Sequence, residues 1–136
     1  MRNYQPIDVG VEIDCILSDL YSINWTPLGA VLEFFIPDSD EVLKIAFVGM
    51  VVVRVLDELH ISTEDDPKDR HGMIAHHFAY KVTGHAFKGI QSELLRDDGL
   101  HYQFITGNGC ADVISQHPPS ITIRRFSKRE QAELGG

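Results

Sequence analysis

The sequence predicts a mainly β fold of the α+β class: an antiparallel β-sandwich or half-barrel of about eight strands, with one helix packed on the sheet. Apolar and polar residues alternate with a period of two along most of the chain, which is typical of half-buried strands. Short segments rich in Pro, Asp, Asn and Gly separate these runs, so neighbouring strands are expected to pair as hairpins. The 136 residues, 43% of them hydrophobic, are enough for one domain.

The first elements follow from this alternation. Residues 11–16 alternate apolar and acidic side chains, which predicts a half-exposed strand. Residues 22–29 (SINWTPLG) contain Pro and Gly and are interpreted as a loop. Residues 30–36 (AVLEFFI) are β-branched and aromatic, which predicts a strand that ends at Pro37.

The next run, residues 42–58, is too long for one strand, since strands usually have about five or six residues. The turn sequence at residues 37–40 (PDSD) joins this run to the preceding strand as a hairpin. Gly49 divides the run, because glycine adopts the positive φ that a two-residue hairpin turn requires. We therefore expect strands over 42–48 and 51–58, and the second, apolar on both faces, should lie centrally in its sheet.

The second half begins with a polar loop and then a strand within residues 75–83. Apolar residues at Phe87, Ile90 and Leu94 are spaced as on one face of a helix, which predicts a helix near residues 85–96 lying on the sheet.

The strongest hairpin signal lies near the end of the chain. Residues 101–106 and 110–115 are strand-like and flank Gly107-Asn108-Gly109, whose Asn-Gly pair is typical of tight turns between strands. A last strand is expected over 120–126. The domain organisation is thus a single globular domain over 1–126 and a flexible charged tail over 127–136.

Charge and composition restrict the class of protein. The net charge is −8, and residues 1–58 hold ten acidic against three basic side chains. This argues against nucleic-acid binding, which needs clustered Lys and Arg, and fits a basic protein partner. No segment is apolar enough for a signal peptide or a membrane span, so we expect a cytoplasmic protein, and Cys15 and Cys110 are interpreted as buried thiols.

The motifs of common cofactor and metal sites are not found. Gly107-Asn108-Gly109 begins like a dinucleotide-binding fingerprint, but Asp112 stands where the third glycine belongs and a strand follows instead of a helix. His71, His76 and His77 are close in sequence, yet their spacing matches no familiar zinc pattern. We therefore expect no cofactor and no metal ion, and the alternative of a mixed site of these histidines with Asp65, Asp66 and Asp69 stays open.

Three candidate site residues follow from strand ends and loops. Asp57 and Glu58 end an apolar strand, and Asp57 continues its apolar face, where a carboxylate either reaches a pocket or sits in solvent. Trp25 is either an exposed aromatic that recognises a partner or the plug of one end of the sandwich.

Three further candidates lie on the later strands. Asp112 alternates with Cys110, so it is expected to point inward and to accept hydrogen bonds from donors such as His101 or Tyr102. His76 belongs to the histidine group at the start of its strand and is a candidate pocket or interface residue.

Two segments carry a resemblance to known proteins. Residues 101–115 (HYQFITGNGCADVIS), shortly before Pro118-Pro119, together with residues 53–58 (VRVLDE), resemble small β-rich bacterial proteins that are themselves uncharacterised. Some of those resemble immunity-type antidotes encoded beside secreted toxins. The resemblance covers under a third of the chain and implies a binding role.

Two hypotheses about function follow. The first is a non-enzymatic binding protein whose acidic surface meets a basic protein partner, as a toxin antidote does. The alternative is a small enzyme or small-molecule binder with a pocket between sheet and helix, which uses Asp57 or a histidine. The sequence leaves the partner, any substrate and the oligomeric state open.

Overall fold

The computed structural model describes residues 2–56, 70–72, 76–83, 100–107 and 109–135. Ten strands and one helix lie in this part of the chain. They are β1 (Arg2–Pro6), β2 (Leu20–Thr26), β3 (Gly29–Phe35), β4 (Glu41–Val48), β5 (Val52–Leu56), β6 (Arg70–His71), β7 (Ala79–Thr83), β8 (Leu100–Thr106), β9 (Gly109–Ser115), β10 (Ser120–Arg125) and α1 (Lys128–Gly135).

The strands form two sheets, and the predicted β-rich antiparallel sandwich is confirmed. The larger sheet has the order β5-β9-β8-β7-β1-β6 and the smaller one β10-β4-β3-β2. All described pairings are antiparallel except that of the two-residue strand β6 with β1. The helix predicted near residues 85–96 lies outside the described residues.

One core joins the two sheets, because alternate residues of their strands point inward. Leu32 and Phe34 of β3 are fully buried, as is Phe104 of β8 in the opposite sheet. The ring of Phe34 lies 5.4 Å from that of Phe104 and 5.3 Å from that of Phe78. Burying a side chain of this size contributes about 1.5–3 kcal/mol, so this aromatic contact between the sheets is a main source of stability.

Two predicted hairpins are confirmed by the strand pairing. β3 and β4 are joined through Pro37–Asp40, where Asp38 has a φ of 58°. β8 and β9 pair in register, with Thr106 opposite Gly109. In both cases paired strands flank the predicted turn, although Gly109 already belongs to β9 and Asn108 lies outside the described residues.

The hairpin predicted at Gly49 is wrong. Gly49 has the positive φ of 86° that a turn requires, but β4 lies in the four-stranded sheet and β5 pairs with β9 in the other. The chain crosses between the sheets at this glycine. β5 was expected to lie centrally, yet among the described strands it forms the edge of its sheet, and Val55 is 49% exposed. A turn residue sets the local bend, whereas the partner of a strand depends on distant residues.

Two further segments differ from expectation. Residues 22–29 are not a loop, because β2 continues to Thr26 and a two-residue turn of Pro27 and Leu28 leads into β3. Residues 11–16 are not a strand. Asp14 makes one isolated bridge to His77, and its carboxylate accepts a hydrogen bond from the Ile16 backbone at 2.9 Å, which turns the chain.

Helix α1 occupies the segment for which the sequence predicts a flexible tail, and that flexibility stays a prediction. Ser127 and Glu130 form a capping box at its start: Ser127 Oγ accepts from the Glu130 backbone at 3.1 Å, and Glu130 Oε1 accepts from the Ser127 backbone at 3.0 Å. The Ser-x-x-Glu spacing was a readable signal for this helix. In the described part of the chain, no helix is long and apolar enough to span a membrane.

Candidate functional site

The candidate residues from the sequence fall in separate places. Asp57 and Glu58 lie outside the described residues. His101 and Asp112 are brought together, whereas Trp25 lies at one end of the sandwich and His76 beside a groove. The structure thus offers three regions to compare: a buried polar cluster, an end of the sandwich and a surface groove.

The buried region is the Asp112 cluster, which consists of Arg54, His101, Gln103 and Asp112. Asp112 is completely buried, and its Oδ1 accepts from His101 Nε2 at 2.8 Å and from Gln103 Nε2 at 3.0 Å. Its Oδ2 accepts from Arg54 Nη2 at 3.1 Å. The predicted burial of Asp112 and its bond with His101 are therefore confirmed. Its predicted inward direction is wrong, because Ala111 and Val113 of β9 face the core between the sheets and Asp112, which alternates with them, lies on the opposite face.

The strand register explains this cluster. Asp112 of β9 lies directly opposite Arg54 on one side and opposite Gln103 on the other. His101, two residues before Gln103, points to the same face because side chains alternate along a strand. Tyr102, the other donor considered, points into the core against Phe47. The sequence analysis assigned no role to Arg54 and Gln103, because only cross-strand pairing reveals them.

The chemistry of the Asp112 cluster is that of structural pairing. A buried carboxylate requires partners for its charge, and here a guanidinium, an imidazole and an amide supply them. His101 and Asp112 keep only 5% and 1% of their side chains exposed, so a solute does not reach the pair. The cluster therefore holds β5, β8 and β9 together rather than presenting reactive groups.

Trp25 is exposed and is also bonded across the end of the sandwich. Its Nε1 donates to the backbone oxygen of Val51 at 3.2 Å, which ties β2 of one sheet to the residue before β5 of the other. The side chain is nonetheless 54% exposed, beside a shallow groove of about 310 Å³ that Pro27 and Met50 also line. The indole thus closes one end of the sandwich and presents an aromatic surface there.

His76 lies beside the larger groove, which we call the acidic groove. This groove has a volume of about 830 Å³ and is formed by residues 6–14 together with His76 and His77. His76 is exposed and has a φ of 68°, a left-handed conformation that is unusual outside glycine. Its Nδ1 lies 3.5 Å from Asp14 Oδ1, and its backbone oxygen accepts from the Cys15 backbone at 2.9 Å.

Three carboxylates give the acidic groove its charge: Asp8, Glu12 and Asp14. No Lys or Arg is among the described residues that line it. Asp8 Oδ1 accepts from the Gly10 backbone at 2.8 Å, and Asp14 Oδ1 makes the corresponding bond to Ile16. These local bonds from backbone N–H groups fix two of the carboxylates in position.

The backbone of the acidic groove is held in place although it makes no extended ladder. The Ile7 backbone donates to Ala79 at 3.1 Å, and the oxygen of Ile7 lies 3.1 Å from His77 Nε2. At the other end, Ser18 Oγ donates to the backbone oxygen of Phe35 at 2.7 Å, and the backbone oxygen of Ser18 accepts from the backbone N–H of Gly107 at 2.8 Å. Both ends of the segment are thus anchored to the sheets, so the groove is preformed.

Two aliphatic side chains extend from the turn that follows the acidic groove. Ile16 is 64% and Leu17 is 63% exposed. Exposed aliphatic residues are ordinary when they occur singly, whereas these two neighbours form a small exposed apolar patch next to the turn. The sequence analysis did not identify them, because it placed residues 11–16 in a strand.

A second charged group lies on the outer face of the smaller sheet. We call it the Arg124 network: Tyr21, Glu33, Arg124 and Glu130. Arg124 donates to both Glu130 oxygens at 2.8 Å and to Glu33, and the Tyr21 hydroxyl donates to Glu130 at 2.8 Å. These bonds dock α1 against β2, β3 and β10.

The pKa values of the Arg124 network shift in the directions expected from these bonds. The bonds from Arg124 hold the pKa of Glu130 and of Glu33 below the usual range, and the bond to Glu130 raises the pKa of Arg124. Donation to Glu130 raises the pKa of Tyr21. The network therefore remains ionised at neutral pH, with two negative charges around one positive charge.

Within the described residues, no group of three or more His, Cys, Asp or Glu side chains is placed to hold a metal ion. No protein-family model, curated protein or solved structure matches this chain.

Proposed function

We propose that this chain is a non-enzymatic binding protein whose acidic groove takes a basic segment of a protein partner, in the manner of a toxin antidote. The observation that carries the proposal is the groove itself: three carboxylates and no described Lys or Arg line it. A concave surface of one charge sign attracts a ligand of the opposite sign and speeds its encounter.

The apolar neighbours give the groove a second means of binding. Ile16 and Leu17 are exposed where the groove ends, so a partner that places apolar side chains next to its basic ones buries both at once. Charged pairs at a rim contribute mainly specificity and association rate, whereas buried apolar contacts contribute more of the affinity. The proposed partner surface is therefore basic and interrupted by apolar residues.

The preformed backbone also favours binding over induced folding. Residues 7–18 are anchored at both ends by hydrogen bonds to the sheets. A surface that is ordered before binding loses less conformational entropy when it binds. Separately, the overall charge of −8 adds a long-range attraction for a basic partner.

The alternative of a small enzyme has less support from the geometry. His101 is buried and bonded to Asp112, and Asp57 lies outside the described residues. His76 is accessible, but its near neighbour Asp14 already bonds the backbone of Ile16 through the oxygen that faces the imidazole. A binding role uses the described surface without assigning chemistry to any of these groups.

The test uses isosteric substitutions that remove the charge of the groove and keep its local turns. A triple variant, Asp8→Asn, Glu12→Gln and Asp14→Asn, is compared with the wild type for binding of a synthetic peptide that alternates Lys and Leu. We expect the wild type to bind the peptide less tightly as salt rises, and the variant to bind about tenfold more weakly at low salt. Titration calorimetry measures both.

The matched control removes three charges elsewhere. Asp38→Asn, Asp40→Asn and Glu133→Gln change exposed acids outside the groove by the same total charge. This control should keep its affinity for the peptide within about twofold, because screened charges at a distance act weakly. Equal loss in both variants would show that net charge alone attracts the peptide, and the proposal of a groove would then be wrong.

A further inference from the structure

The edge strand β2 exposes its outer side. It ends the smaller sheet, whose order is β10-β4-β3-β2, and no other described strand pairs with it. Asn24 and Thr26 are exposed, and Ile23 and Trp25 keep 36% and 54% of their surface. An edge of this kind presents unpaired backbone groups that pair readily with another strand.

β2 also lacks the charges that usually prevent such pairing. Its sequence, LYSINWT, contains no charged residue. By contrast β10, at the other edge of the same sheet, ends in Arg124 and the exposed Arg125. In a chain with a net charge of −8, two copies repel each other over most of their surfaces. An uncharged strip is where this repulsion is smallest.

The hairpin fixes which backbone groups face the open side. β2 and β3 are joined by a two-residue turn, and Thr26 lies directly opposite Gly29. The residues that close such a turn form a hydrogen-bonded pair, and bonded pairs alternate along an antiparallel ladder. The N–H and C=O groups of Asn24 and Thr26 therefore point to β3, whereas those of Ile23 and Trp25 point away from the sheet.

The geometry points to this edge as a self-association surface: β2 pairs antiparallel with β2 of a second copy, about a two-fold axis that passes through Asn24. In this register the backbone of Ile23 exchanges hydrogen bonds with the backbone of Trp25 in the second copy. The two-fold axis produces the same pair between Trp25 of the first copy and Ile23 of the second. The two four-stranded sheets then form one continuous sheet of eight strands.

The side chains of β2 fit their own copy in this arrangement. The exposed Ile23 lies beside Trp25 of the second copy on one face, and aromatic and β-branched residues pair well across strands. On the other face Ser22 lies opposite Thr26 of the second copy, and Asn24 opposite itself. No like charges meet. This self-complementarity favours a second copy over an unrelated peptide, and it involves no residue of the acidic groove, so it stands apart from the proposed function.

Association of the full chain tests the surface directly. Sedimentation equilibrium should show a concentration-dependent dimer for the wild type. Asn24→Asp places two negative charges opposite each other at the axis and should weaken dimerisation at least about tenfold. The control Thr122→Asp makes a similar addition of charge on the exposed opposite edge and should dimerise like the wild type. A wild type that stays monomeric up to millimolar concentration, or equal effects of both variants, would overturn the inference.

Disulfide formation tests the register and does not depend on how a charge affects stability. In a non-bonded antiparallel pair the two Cα atoms at the axis lie about 4.5 Å apart, within the usual range of disulfides. Asn24→Cys should therefore oxidise to a covalent dimer. Thr26→Cys should not, because its copies lie about 14 Å apart along the strands. The wild type shows the background from Cys15 and Cys110. Equal cross-linking of the two variants, or none in Asn24→Cys, would show that the proposed pairing is wrong.

Discussion

Among the described residues, the Asp112 cluster and the Arg124 network both join arginine to carboxylates, but in different surroundings. In the Asp112 cluster, a fully buried carboxylate meets Arg54, His101 and Gln103 between strands of one sheet. In the Arg124 network, an arginine meets Glu33 and Glu130 on the surface, where 33% of its side chain is exposed. The bond lengths are comparable, yet the cost of breaking a pair depends on how much water replaces the lost partner.

This comparison separates two kinds of contribution to the fold. The buried cluster connects β5 to the distant hairpin of β8 and β9. Its loss leaves uncompensated charge inside the protein. The surface network docks a single terminal helix, and water solvates its members when they separate. We expect the first to affect global stability and the second to affect mainly the docking of α1.

The largest expected effect is at Asp112. Asp112→Ala leaves the buried partners of the carboxylate without a counter-charge and should lower the free energy of unfolding by about 3–5 kcal/mol, measured by urea denaturation at neutral pH. Asp112→Asn keeps the size of the side chain. A comparable decrease in the free energy of unfolding in this variant would show that the effect comes from the charge and not from packing. The exposed control Asp40→Ala should change stability by less than about 0.5 kcal/mol. A similarly small change at Asp112 would contradict the assigned role.

A smaller effect is expected at Arg124. Arg124→Met keeps an unbranched side chain of similar length and removes the bonds to Glu33 and Glu130, so the free energy of unfolding should fall by no more than about 1 kcal/mol. Amide hydrogen exchange in α1 should nevertheless become faster, because the helix loses its main polar contact with the sheet. The control Arg129→Met, in an exposed pair on the same helix, should leave this exchange unchanged. A global loss as large as that of Asp112→Ala would erase the distinction between the two groups.

The smallest expected effect is the loss of α1 docking as the pH falls. The folded pKa values of Glu33 and Glu130 are lowered, so these carboxylates stabilise the docked helix above the ordinary glutamate pKa of 4.5, and this stabilisation is lost as the pH falls through their folded values. Carboxyl carbon NMR should place both titrations below the ordinary range. In Arg124→Met both should move back up towards it. Titrations that stay unchanged in the variant would show that Arg124 is not their cause.

The sequence was informative where the evidence is local. Alternation located β3, β4, β8, β9 and β10 within one residue at both ends, and the sequence placed hairpin turns correctly between β3 and β4 and between β8 and β9. The same alternation showed that Asp112 shares a face with Cys110 but not which face meets the core, and the core took the face of Ala111 and Val113 instead. The Ser-x-x-Glu spacing at Ser127 was a local signal that the analysis did not use.

The candidate site was much less predictable. The acidic side chains of residues 8–14 were visible as charge, but a strand was expected where the structure forms the wall of a groove. β2 was interpreted as a loop because Pro27 and Gly29 follow closely, although those residues form its turn. His76 was considered for its neighbours in sequence, whereas its position depends on Asp14 and Cys15, some sixty residues earlier.

By itself, the sequence determined the fold class, most strand positions and which side chains of a strand share a face, because backbone sterics and a two-residue period act between near neighbours. Tertiary structure alone decided that the chain crosses between sheets at Gly49, that Arg54 reaches Asp112, and that α1 docks through Arg124. Strand pairing joins residues that are distant in the chain, and its free energy comes from burial of whole faces. No short window of sequence contains that information.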